Sequence, residues 1–94
     1  MELSERCIKT LEREGFVHIF EDQDAPLAIY PEHTHQDKVT VFITEGSFDV
    51  AVKNEIISLR AGDRFNFTPH VPYSAAVGPQ GCQFVVGEMI DGDF

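Results

Sequence analysis

The hydrophobic period of the chain changes at Gly15. Upstream, in SERCIKTLERE (4–14), Cys7, Ile8 and Leu11 make a narrow apolar stripe at helical spacing. Ser4 reads as a side-chain N-cap, and Glu5 places negative charge in the first turn, where the helix dipole favours it. Leu3 and Ile8 fall at the two positions of a hydrophobic staple. Gly15 supplies the left-handed residue that stops a helix, so that Phe16 folds back on Leu11. The pattern predicts one helix over about 4–14, lying on the outside of whatever follows.

Downstream the period becomes two. FVHIF (16–20) and LAIY (27–30) read as strands with the polar EDQDAP turning the chain between them. VTVFIT (39–44), FDVAVK (48–53), EIISLR (55–60), RFNF (64–67), YSAAV (73–77) and CQFVVGEM (82–89) continue the series. β-Branched and aromatic residues dominate these runs. The turns EGS, KNE, AGD and GPQG punctuate them at regular spacing, as in a sandwich or barrel. No run after residue 16 has the length and period of a second helix. The expected fold is all-β, a barrel over about 16–90 with one short N-terminal helix, in a single domain over 1–94. The tail DGDF (91–94) carries no pattern and is expected to be loose or held by a partner chain.

Composition narrows the partners. The chain has 94 residues, 43% of them hydrophobic and eight of them Phe, enough for one efficient core. Its formal net charge of −9 repels polyanions, so nucleic acid and anionic membrane surfaces are not expected partners. Cys7 and Cys82 sit in no CxxC or CxxH pattern, and there is neither a signal-peptide pattern nor a long apolar run. The expectation is a cytoplasmic protein with two reduced, buried thiols.

The candidate chemistry lies in two segments. In PEHTHQDKVTVFITEG (31–46), His33 and His35 occupy alternate positions. On a strand they point to one face with Cα atoms roughly 6–7 Å apart, close enough for both rings to reach one ion. The same face continues through Asp37, Val39, Val41 and Ile43, turning from polar to apolar as a strand does between a pocket mouth and a core. Asp37 lies roughly 13 Å from His33 along such a strand, so three ligands on one straight strand converge poorly on one ion, and only a bend near Pro31 or Asp37 would change that. The second segment, GDRFNFTPHVPYS (62–74), brings Gly62, Phe65, Phe67, His70 and Tyr73. No GxSxG elbow, phosphate-binding Gly loop or HExxH is present, so the only general bases on offer are the two His. His18 reads as a strand residue on a solvated face, and His70 as a loop residue at the mouth.

These two segments resemble the two sequence motifs of the cupins. His33 and His35 with Gly46 look like the first motif. Gly62 and Asp63 with Pro69, Val71, Pro72 and Tyr73 look like the second. The resemblance covers about residues 26–90 and implies a double-stranded β-helix, or jelly-roll barrel, whose hollow holds the site. It places the ligand pocket at His33, His35, Val39, Val41, Phe65, Phe67, Tyr73 and Phe84. Metal-binding cupins use three His and one Glu. The resemblance maps two of the His onto His33 and His35, but finds Val39 where the Glu falls and Tyr73 where the third His falls. Half of the ligand set is therefore absent. What it implies is a small-molecule-binding cupin with at most an altered metal site of His33 and His35, joined by Tyr73 only as a phenolate. The ion in such a site is iron, manganese, nickel or zinc. Two other readings stay open: a metal-dependent enzyme of the non-haem iron dioxygenase or isomerase type, and a non-catalytic interaction or regulatory module. Small cupins commonly pair through sheet edges, so a homodimer is expected.

Overall fold

A computed structural model describes residues 2–89. The chain opens with helix α1 (Leu3–Arg13) and continues through strands β1 (His18–Asp24), β2 (Ile29–His33), β3 (Lys38–Val52), β4 (Glu55–Arg60), β5 (Arg64–Phe67) and β6 (Tyr73–Met89). The expectation for 91–94 lies outside the described residues.

The helix begins earlier than its capping pattern predicts. Glu2, not Ser4, is the N-cap residue, and it makes no side-chain cap bond. Leu3 is drawn into the first turn because it packs with Ile8 against the cluster of Cys7, Leu11, Phe16 and Val85. Apolar burial thus outweighs a cap worth about 1 kcal/mol. The C-terminal end forms as expected. Gly15 has φ +93°, its N–H reaches Glu12 O, and Phe16 N–H donates to Leu11 O at 3.1 Å, which closes a Schellman motif. Phe16 is buried against the helix, so the first strand starts at His18 rather than at 16.

A second difference concerns EDQD. These residues do not turn the chain; they extend β1 to Asp24, paired with β6 from His18↔Glu88 to Asp24↔Cys82. Among the described residues β1 pairs with no other strand, and charge on an edge strand is tolerated and discourages further pairing. The turn comes later, at Leu27, which takes φ +63°.

EGS and GPQG likewise do not end strands. β3 and β6 run through them and pair antiparallel from Lys38↔Met89 to Val52↔Tyr73, with register shifts between Ile43 and Glu45 and between Gly46 and Phe48. The shifts reverse which side of each strand is buried. Val39, Val41 and Ile43 face the hollow before the shift, and Phe48 and Val50 face it after. Gly46 (φ +81°) and Gly81 (φ +82°) meet at this bend. Two halves result. β1, the end of β6, the start of β3 and β5 form one sheet; β2, the start of β6, the end of β3 and β4 form the other. The four strands expected at 39–44, 48–53, 73–77 and 82–89 are the halves of these two long bent strands. The hairpin at KNE forms as expected, with Lys53 and Asn54 both at positive φ, as a type I′ turn requires.

The main core lies between the two sheets, with Ile43 and Val50 fully buried. The helix packs on the outer face, where Gly87 lets Leu11 and Phe16 come close to the strand. Arg64 ties the helix end to the barrel: its guanidinium bonds Glu14 at 2.8 and 2.6 Å, and its Nε reaches Thr40 Oγ1 at 2.9 Å. Cys7 and Cys82 are both free and buried, in separate clusters, and desolvation pushes both thiols above their ordinary pKa.

Candidate functional site

A cavity of about 190 Å³ opens between the two sheets. Pro31 determines which histidine face reaches it. Tyr30 pairs with Ala75 and points inward, so strict alternation would turn position 33 outward. Pro31 has no N–H for the ladder, and the register slips between Tyr30 and His33. The slip sets His33 opposite Tyr73 and brings its ring into the cavity. The Pro31 carbonyl then accepts a hydrogen bond from His33 Nδ1 at 2.7 Å. That contact places a proton on Nδ1, so that in the neutral ring Nε2 is the acceptor.

His35 does not lie on the same strand, as the alternation predicts. β2 ends at His33, and His35 sits in the connection to β3. Its carbonyl accepts from the His70 backbone N–H at 2.8 Å, which fixes the loop. The two rings still converge, with centroids 5.4 Å apart and planes nearly perpendicular. Inside the cavity the Tyr73 hydroxyl hydrogen-bonds His35 Nε2. The Tyr73 ring lies 4.4 Å from that of His33 and 4.3 Å from that of Phe67. Burial pushes the Tyr73 phenol up to about 12. Burial, and then the neighbouring His33, lower the pKa of His35, against smaller opposing effects of Glu88 and Asp37.

Val39 and Val41 form part of the wall, and Phe67 and Phe84 line it too. Phe65 does not. It faces the same side of β5 as Phe67, but the Phe67 ring takes the contacts with Tyr73 and His35, and Phe65 packs edge-on behind it at 4.8 Å. His70 is exposed, at φ +67°, and is not among the lining residues. Asp37 is half-buried beside the mouth and does not line the cavity either.

The sequence reading missed Phe20, Tyr30, Phe48, Val86 and Glu88, which complete the lining. The signal for two of them was present: once Phe84 is placed inward, strand alternation carries Val86 and Glu88 with it. Glu88 stands across from Val39, so a carboxylate occupies the strand next to the one where the cupin resemblance seeks its Glu. His18, exposed on β1, holds one oxygen of Glu88 at 2.6 Å.

Among the described residues no three His, Cys, Asp or Glu side chains come together as a cation site.

Comparison with known proteins agrees with this architecture. A cupin of the RmlC-like type from Shewanella frigidimarina is 28% identical over 84% of this chain and 71% of its own, with a TM-score of 0.69. A cupin superfamily protein from Desulfitobacterium hafniense superposes with a TM-score of 0.71 at 18% identity, over 82% of this chain and 70% of its own. KdgF from a Halomonas species does so with a TM-score of 0.64 at 21% identity, over 80% and 71%. No curated protein matches in sequence. The sequence profile of the AraC-like ligand binding domain matches residues 16–86, which span the barrel and the cavity residues as far as Val86. The chain is therefore a cupin of the AraC-like ligand-binding domain family.

Proposed function

We propose that the chain binds one small molecule in the cavity between its sheets and does so without a resident metal. The observation that carries this reading is the cavity itself: about 190 Å³, walled by aromatic and branched apolar side chains, with Tyr30, His33, His35, Tyr73 and Glu88 as its polar groups. Small-molecule sites have this make-up, an apolar wall with a few polar groups that orient the ligand. A cavity of about 150 Å³ holds benzene, so the ligand is of single-ring size. The family's ligand-binding character supports the reading. Thermal-shift screening against a metabolite panel tests it. A stabilising ligand whose effect is lost in His33→Ala is the expected result; a panel without any hit, with a barrel closed to xenon or benzene, overturns it.

One observation favours the second reading, a metal-dependent enzyme. The bare Nε2 of His33 lies beside the ring of His35, so displacement of the Tyr73 hydroxyl would free a second nitrogen. Titration with iron, manganese, nickel and zinc separates the two readings: stoichiometric binding of any one that is lost in His33→Ala supports the enzyme.

Homodimer formation belongs to the same proposal. Leu27, Ile29 and Ile56 are 69%, 76% and 74% exposed on the outer side of the β2–β4 half, and β2 and β4 are its edges. Sedimentation showing a monomer at micromolar concentration would remove it. The net charge of −9 argues against nucleic acid and anionic membranes as partners, and no helix among the described residues is long and apolar enough to cross a membrane.

A further inference from the structure

We propose that the ligand is a small organic cation bearing N–H donors, a primary or secondary ammonium on a compact apolar body. The inference rests on the ligand-binding reading above and narrows it to one chemical class.

The hydrogen-bond roles inside the cavity carry the argument. Tyr30 donates its hydroxyl proton to Asp24 Oδ2, so its oxygen presents only lone pairs to a guest, while the Tyr73 hydroxyl is engaged with His35 Nε2. His33 donates a hydrogen bond from Nδ1 to the Pro31 carbonyl, so in the neutral ring its Nε2 is an acceptor as well. Glu88 has one oxygen held by His18, and its other oxygen takes no hydrogen bond among the described residues. A guest that satisfies this array must donate, and an ammonium group brings up to three N–H donors.

Charge points the same way. Among the described residues neither Lys nor Arg lines the cavity, and Glu88 is its only carboxylate. The wall also carries the rings of Phe20, Phe48, Phe67 and Phe84, whose faces attract cations. The formal charge of −9 draws cations towards the mouth and repels anions.

Three probes with the same ring and one differing group test the inference: cyclohexylammonium, cyclohexanol and cyclohexanecarboxylate, titrated into the whole chain near neutral pH and followed by amide chemical shifts. The expected result is that the ammonium binds roughly tenfold tighter than the alcohol, with shifts centred on Val41, Phe84 and Glu88, and that the carboxylate binds weakest. Glu88→Gln should remove most of the ammonium's advantage over the alcohol. Should that variant fail to fold, raising the salt concentration on the native chain must weaken the ammonium and not the alcohol. If the alcohol or the carboxylate binds as tightly as the ammonium, or if the ammonium maps elsewhere, the cation inference falls and the ligand-binding reading stands. If none of the probes binds at millimolar concentration, both fall.

Discussion

Tyr73 and His35 meet inside the barrel through a single hydrogen bond, phenol hydroxyl to imidazole Nε2. They come from different elements: Tyr73 opens β6, whereas His35 lies in the connection after β2. Burial raises the phenol to about 12 and lowers the imidazole, so near neutral pH both partners are uncharged. A neutral pair avoids the desolvation cost that an ion pair would meet in the same place.

The first prediction concerns acid. The folded pKa of His35 lies below its ordinary value of 6.5, so the unfolded chain binds more protons than the folded one. Its contribution to stability is full above pH 6.5 and is lost as pH falls through the folded pKa. Glu14, lowered mainly by its hydrogen bond to Arg64, acts with the same sign but in a lower window, below its ordinary 4.5. The melting temperature should therefore fall in two stages, and His35→Gln should remove the upper stage only. A proton-detected titration of His35 that gave a pKa above 6.5 would contradict this.

Tyr73→Phe tests the hydrogen bond itself. Removing the hydroxyl leaves a half-buried imidazole nitrogen without its partner, which costs about 1–2 kcal/mol. For a chain of this size that is a drop in melting temperature of about 4–8 °C per kcal/mol. The His35 pKa should stay below 6.5, because burial and His33, which lower it, remain in the variant. A melting temperature equal to that of the native chain would show that the hydrogen bond contributes nothing to stability.

Much of this was legible in the sequence, and what was not has local causes. The change of period at Gly15, the KNE hairpin and the inward run of Val39, Val41 and Ile43 all follow from side-chain alternation. The bends in β3 and β6 do not. EGS and GPQG carry the residues of ordinary turns, and only pairing between distant strands turns them into bulges that keep a strand going. The convergence of His33 and His35 was expected for a reason that fails in detail: it depends on the slip that Pro31 causes and on a loop position, not on one straight strand. Glu88 was overlooked because a lone acidic residue near a strand end reads as solvated. Its partner across the sheet, Val39, is what places it at the cavity.

Two glycines of the motif segments should respond differently to alanine. Gly62 has φ +95° with nothing within 4 Å of an added Cβ, so Gly62→Ala costs only the left-handed backbone strain, about 1–2 kcal/mol. Gly46 has φ +81°, and its Cβ would fall 2.0 Å from Gly81 O. That contact is backbone to backbone at the bend of both long strands and cannot relax by a side-chain rotation. Gly46→Ala should lose a further ~1–3 kcal/mol. Equal losses in denaturant melts of the two variants would show that the approach of Gly46 to Gly81 does not hold the bend.

Val86→Phe separates a binding cavity from a hollow that merely lacks filling. Val86 pairs across from Val41, lines the cavity and packs against the core, so a larger side chain there has empty space to enter. Filling an apolar cavity commonly adds about 0.5–2 kcal/mol of stability, while overpacking subtracts about 1–3 kcal/mol. With about 190 Å³ open beside it, the first effect should prevail and the melting temperature should hold or rise. Ligand affinity should collapse in the same variant, because the added ring occupies the volume that a single-ring guest needs. Stability and binding then move in opposite directions, which general damage to the fold cannot produce. A variant that still bound its ligand with native affinity would place the binding site elsewhere on the barrel.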